Sequence, residues 1–479
     1  MTPDSRISAR ALAVALGGWR TREPAYEALA DGIRLLCLDN RLAPRTALPA
    51  ERELATALGL SRTTVAAAYR SLRDSAHIES LRGSGSITRP LPRGESSIVA
   101  PDADAIDLQQ ASPAAWPGLA GIYAEVAGEA ASLVSRPGYD VVGSLALRTA
   151  IAERYTAQGV PTRPDEVLVT TGAQSAIHQL AELYARRGTR TLIETPTYPH
   201  AAEAFRRAGT LLSAIPVTTD SGWDLDRATQ AFERTRAATA YLMPVFQNPT
   251  GRSMTPEDER AIDRAAAASG TALIVDDTIA DLAIDHAPRE RAAFAGARTR
   301  IIRIGSLGKT VWGGLRVGWV RAETDVIRRL IAARSAHELG TPDFEQAVAV
   351  RLVRQLDDVL PQRAALLREG RATLVDGLTR ALPEWRLPEV AGGVSLWVEL
   401  DRPLSSALVL AARTHGVLLS AGPRFAVEGG HERHLRVPFT GPADQLTRAV
   451  DVLARAWPMV RADAGAHSPT GAPRLDTLV

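Results

Sequence analysis

The sequence predicts an α/β protein in several parts: a small helical unit over residues 1–88, a body over residues 105–460 built on a mostly parallel sheet, and a smaller α+β domain closing that body. Three observations predict it. Short β-rich segments alternate with helical ones from residue 165 onward, a helix–glycine–helix pattern stands near the front, and a proline-rich stretch without periodicity, residues 89–104, separates the two. A chain of 479 residues is also too long for one ordinary core. Residues 461–479 are polar and contain proline and glycine, so they read as a disordered tail.

Composition narrows the setting. With 45% hydrophobic and 23% charged residues the chain reads as globular, and no apolar run approaches the roughly 18 residues that span a bilayer. The opening "MTPDSRISARALAVALGGWR" has arginines before an apolar patch, as a signal peptide does. Gly17 and Gly18 break that patch and no A-x-A site follows, so a short amphipathic helix is expected instead. Cys37 is the one cysteine, which excludes internal disulfides and fits a reducing, cytoplasmic compartment. Residues 1–90 carry 13 arginines against 9 acidic residues while the whole chain carries only +2, so the basic excess lies at the front.

In the front unit, "AYEALADGIRLLCL" (residues 25–38) repeats apolar residues at helical spacing. Pro49 and Glu51 then open a second helix that Gly59 ends, and Ser61 caps a third running to about Ser71. Two short helices about a glycine turn can lay the second in a DNA major groove, where Ser61, Arg62, Thr63 and Thr64 occupy its exposed first turn. Arg52 is placed for a phosphate. The following "HIESLRGSGSIT" alternates and turns at Gly83 and Gly85, a hairpin wing with Arg82 at its tip for the minor groove. The segments "LPAERELATALGLSRTTVAAAYRSL" and "RGSGSIT" resemble the winged-helix domain of the GntR family of bacterial regulators. That resemblance implies double-stranded operator DNA as a partner.

In the body, "IGSLGKTVWGG" holds the chain's single lysine, Lys309, among 56 basic residues, so 55 are arginine. Arginine replaces lysine for charge and phosphate contact but cannot become a neutral nucleophile near pH 7. The strand ends supply companions. "TTGAQS" sets Gly172, Ala173 and Gln174 before a helix, where free amides favour a phosphate. "TPTYPHA" offers the Tyr198 ring, "FQNPTG" the Asn248 amide, and "LIVDDTIADL" a carboxylate, Asp276, whose burial calls for a cation. Ser306 and Arg316 flank Lys309 as further phosphate ligands, and "HERHLRVPFT" carries Arg436, suited to a bidentate carboxylate contact. Each piece taken alone reads equally well as packing or turn chemistry.

Together they supply a phosphate cradle, a ring stacker, a phenolic-oxygen partner, a pyridinium acid and an aldehyde trap, the requirements of pyridoxal phosphate. Residues 105–460 resemble the fold-type I aminotransferase body, and the whole chain resembles the MocR subfamily of GntR-type regulators. The resemblance implies an aldimine on Lys309, with Asp276 at the ring nitrogen, Asn248 at the phenolic oxygen, Tyr198 stacked on the ring and Gly172, Ala173, Gln174, Ser306 and Arg316 on the phosphate. It implies Arg436 for an effector carboxylate, a homodimer and no metal. Relatives place a tyrosine two or three residues after the aspartate; here Thr278 and Ile279 stand there, and Thr278 is the candidate replacement hydroxyl. The expected function is a transcriptional regulator answering to pyridoxal phosphate, an amine or an amino acid. Two alternatives are a working aminotransferase with an accessory DNA-binding domain and a cofactor-free dimerising body.

Overall fold

The computed structural model describes residues 5–16, 19, 24–38, 41–81, 85–89, 105–184, 186–285, 294, 298–334, 336 and 338–465. Three of the front-unit helices follow the sequence signals closely. Ala25–Leu38 is helical, Glu51–Leu58 ends on Gly59 at φ +65°, and Arg62–Asp74 starts from Ser61, whose side chain accepts from Thr64 N. The last of these runs three residues past Ser71 because Leu72 is fully buried and holds the final turn on the core. A helix spans Ala9–Leu16, where the sequence predicts a short amphipathic one. The strands Ile78–Leu81 and Gly85–Thr88 pair antiparallel as the wing, with Gly85 at φ +83°; Arg82 and Gly83 lie outside the described residues, as do linker residues 90–104.

The body is an eight-stranded sheet in the order Val167–Thr170, Gly318–Arg321, Ile301–Ser306, Ala272–Asp276, Thr239–Leu242, Arg190–Thr195, Leu211–Thr218, Gly222–Trp223. The four pairings from Ile301–Ser306 to Leu211–Thr218 are parallel, and the central strands Ala272–Asp276 and Thr239–Leu242 are buried along their whole length. Gly318–Arg321 is antiparallel to both neighbours, so the sheet is mostly rather than wholly parallel. The reversal follows from the short turn after Ser306: eleven residues bring the chain back beside its own strand, too few for a helical crossover. Consequently the loops after Thr170, Thr195, Leu242, Asp276 and Ser306 all open on one edge.

The smaller domain pairs Ser395–Glu399 with His434–Pro438 and adds Ser420–Ala421, covered by helices Leu356–Ala381, Ser405–Arg413 and Ala443–Gly465. The last helix crosses residue 460, so residues 461–465 of the expected tail are helical; residues 466–479 lie outside the described set. The front unit rests on this domain. Helix Ala25–Leu38 packs on helix Ser405–Arg413, and Leu35 joins the same apolar core as Leu408 and Val409. Among the described residues no helix is long and apolar enough to cross a membrane, and no His, Cys, Asp and Glu group could hold a metal.

Candidate functional site

Asp276 ends the central strand, almost fully buried, and its carboxylate is held from two sides. The Tyr241 hydroxyl donates to Oδ2, and Thr278 N donates to Oδ1 at 2.9 Å. Burial pushes the Asp276 carboxyl up from its ordinary value, while the Thr278 and Tyr241 hydroxyls oppose the shift. Thr278 therefore serves Asp276 directly. Tyr241 was not among the sequence candidates; in the sheet it lies one strand over, paired with Ile274, and is itself fully buried.

The neighbouring strand ends carry Tyr198 and Asn248. Burial pushes the Tyr198 phenol up to about 12, and Asp276 adds to the shift while Arg436, Arg316 and Arg424 oppose it, so one ring feels the charges of the whole site. Asn248 Oδ1 and Thr197 Oγ1 are buried without a partner among the described residues. Such atoms are expensive to leave unpaired, so each leaves an acceptor open to a polar group or a water.

Gly172 has φ +81°, and a Cβ there would lie 2.9 Å from Arg316 Nη2. Arg316 Nη2 donates to Thr171 O at 3.0 Å, which lays the guanidinium along the glycine loop just before helix Ala173–Tyr184. Gly318 permits this approach: a Cβ on it would stand 2.6 Å from the Gly172 carbonyl carbon. Ser306 Oγ donates to Val317 O at 3.1 Å and accepts from Gly308 N at 3.0 Å, which ties the lysine loop to the same corner. Gln174 Nε2 reaches His200 O at 3.4 Å, leaving its Oε1 unpaired.

Lys309 has no hydrogen-bond or ion-pair partner among the described residues, and burial, then Arg436 and Arg316, lower its ammonium to about 8. Arg436 is buried over the Phe425 ring at 4.8 Å, donates through Nη2 to Gln109 O and leaves Nε unpaired. Burial lowers it to about 10, with Tyr198 acting in the opposite direction. Seven of the body candidates thus connect by contact or charge: Gly172, Tyr198, Asp276, Thr278, Lys309, Arg316 and Arg436. Gln174, Ser306 and Asn248 occupy the adjoining loops, and Ala173 starts the helix that follows them.

In the front unit, Ser61 Oγ lies 2.7 Å from Thr63 Oγ1 and 2.8 Å from Thr64 Oγ1, and Arg62 is exposed beside Glu51 at 3.6 Å. Arg52 is exposed on the preceding helix. Ser61 and Thr63 are exposed as well, and Thr64 is half-buried.

The chain matches the family described as bacterial regulatory proteins, gntR family, over residues 25–87, and the family described as aminotransferase class I and II over residues 133–453. It is 30% identical to 2-aminoadipate transaminase of Thermus thermophilus over 347 residues, 69% of this chain and 86% of the relative. It is 26% identical over 404 residues to the uncharacterised HTH-type transcriptional regulator YisV of Bacillus subtilis, 77% of this chain and 82% of that one. Among solved structures, LysN, the alpha-aminoadipate aminotransferase of Thermus thermophilus complexed with N-(5'-phosphopyridoxyl)-L-leucine, superposes with a TM-score of 0.68 at 27% identity, covering 75% of this chain and 93% of that one. The chain belongs to the aminotransferase class I and II family and carries a GntR-type domain in front of it, the two-part build of the MocR subfamily of regulators.

Proposed function

We propose that this protein is a DNA-binding regulator that holds pyridoxal phosphate through Lys309 and changes its grip on an operator when the cofactor, or an amine or amino acid that reacts with it, is bound. The observation that carries the reading is Lys309 itself: the chain's single lysine stands without a partner among the described residues, its ammonium pulled to about 8. An appreciable fraction is then a neutral amine near pH 7.5, able to attack a carbonyl and to hold or release a proton at Nζ.

The residues present fit the group. The unpaired Asn248 Oδ1 and Arg436 Nε, the glycine loop under Arg316 and the buried Asp276 match a ligand that is polar at its rim, anionic at one end and basic at the ring. Asp276 would face the pyridine nitrogen with Tyr241 and Thr278 fixing its carboxylate. Asn248 would meet the phenolic oxygen, Tyr198 would cover the ring, and Gly172, Ala173, Gln174, Ser306 and Arg316 would hold the phosphate. Bound pyridoxal phosphate supplies an aldehyde for an amine and a ring that withdraws electrons from the carbon next to it. Arg436, almost dehydrated, would orient an incoming carboxylate.

Coupling to DNA is supported by the packing of helix Ala25–Leu38 on helix Ser405–Arg413, since the latter belongs to the domain that carries Arg436. A shift of that domain on ligand binding would move the winged helix with it, which is how one site biases another. Exposed Val134, Tyr139 and Leu145 support a homodimer by offering apolar surface to a partner, and the single buried Cys37 supports a reducing compartment, the cytoplasm. The likeness to 2-aminoadipate transaminase favours one further reading, a competent aminotransferase.

The test is operator affinity, measured on the upstream DNA with and without pyridoxal phosphate and candidate amino acids. A ligand-dependent change in Kd without multiple-turnover keto-acid formation is expected, and Arg62→Ala is expected to weaken DNA binding about tenfold or more while leaving cofactor uptake intact. Steady turnover with ligand-independent DNA binding would favour the enzyme.

A further inference from the structure

We propose that Glu194 is a positioning residue for the cofactor site, acting through Gln247 to set the loops that carry Tyr198 and Asn248. The proposal rests on the reading that pyridoxal phosphate binds at Lys309. Glu194 lies near the end of strand Arg190–Thr195 with none of its surface exposed, and no cation stands within ion-pair distance among the described residues. Neutral donors surround its carboxylate instead. Trp223 Nε1 donates to Oε1 at 2.9 Å, Met243 N to both oxygens at 3.1 Å, and Gln247 Nε2 to Oε2 at 3.2 Å.

Gln247 is the relay. Its Nε2 also donates to Pro196 O at 2.7 Å, and its Oε1 accepts from Thr250 N at 3.1 Å and Thr250 Oγ1 at 2.7 Å. Both amide protons and both oxygen lone pairs are then used, so the side chain has one orientation. Pro196 precedes Thr197 and Tyr198; Thr250 closes the turn that begins at Gln247 and displays Asn248. One carboxylate and one amide thereby join two strand exits, whose candidate cofactor ligands Tyr198 and Asn248 lie 50 residues apart in sequence. Sheet hydrogen bonds stop short of these loops, at Thr195 and Leu242. Trp223 anchors the carboxylate from the strand at the far edge of the sheet.

Glu194→Gln keeps the shape but turns an NH2 group toward donors, so at least one of the Trp223, Met243 and Gln247 contacts is lost. Pyridoxal phosphate titration of the full-length chain, followed by visible absorption, is expected to give a Kd about tenfold or more weaker, with the cofactor-free protein still unfolding cooperatively at a melting temperature lower by about a few degrees and its operator affinity retained. The pH midpoint of the bound chromophore is expected to shift in the same direction as in Asn248→Ala. Because part of the Glu194 effect passes through Asn248, the double variant should be weaker than Asn248→Ala by less than the factor Glu194→Gln causes alone. A folded Glu194→Gln with wild-type Kd and midpoint overturns the proposal, as do two effects that multiply fully. Should Glu194→Gln fail to fold, Trp223→Phe removes one donor at the edge farthest from Lys309 and is expected to weaken binding about threefold; a folded Trp223→Phe with unchanged Kd and midpoint overturns it as well. Wild-type protein that takes up no cofactor defeats the underlying reading, whereas normal wild-type uptake with an unaltered Glu194→Gln defeats only this one.

Discussion

Replacing Lys309 by methionine in the cofactor-free protein removes an ammonium that burial, Arg436 and Arg316 have pulled from 10.5 to about 8. A lysine whose folded pKa is depressed contributes stability above its unfolded pKa and loses that contribution as pH falls through the folded one. Below pH 8 the folded chain therefore holds an unfavourable charge, on the order of 3 kcal/mol at most. Lys309→Met is expected to raise the denaturant midpoint at pH 7, and the gap should narrow as pH rises from about 8 to 10.5. Chemical denaturation across that range checks it, and a methionine variant less stable at pH 7 would contradict the assignment. Lys309 and Asp276 were legible because their residue types are rare in those settings. Tyr241 and Glu194 were not: each sits in an apolar strand, and only the register between strands distant in sequence brings Tyr241 to Asp276 and Glu194 to Gln247.

At the scale of elements, the recognition helix depends on its first turn. Ser61 accepts from Thr64 N at 3.1 Å and gathers the Thr63 and Thr64 hydroxyls, so it shapes the surface offered to DNA as well as capping the helix. Ser61→Ala is expected to destabilise the winged-helix unit by about 1 kcal/mol and to leave the aminotransferase-like body unchanged. Hydrogen exchange along residues 62–74 and in the central sheet resolves the two; equal protection in variant and wild type would contradict the capping role. Gly59 and Ser61 made this helix pair readable in sequence, because a left-handed cap and an N-cap each need particular residues. The strand Gly318–Arg321 was not readable. Its "GWVR" is too short to show a period, and its direction is fixed by the turn that precedes it rather than by its own residues.

Across the whole molecule, the division into a DNA-reading unit, a large sheet domain and a small domain followed from alternation and breakers, but the way they meet did not. Leu35 looks like any other apolar residue of an amphipathic helix; its place in the body's core appears only when helix Ala25–Leu38 is seen lying on helix Ser405–Arg413. The same holds for Arg41, whose charge steadies the buried Glu432 at the start of that body helix, where Ser406 N and both serine hydroxyls already donate to it. Those contacts tie the front unit to the small domain that carries Arg436. Covalent capture at one amine, Lys309, underlies the proposed function. Incubating the full chain with pyridoxal phosphate, reducing with borohydride and mapping the modified peptide by mass spectrometry tests it directly. A single phosphopyridoxyl addition on Lys309, lost in Lys309→Arg, is the result predicted; no addition at Lys309, or the same uptake by the arginine variant, would contradict it.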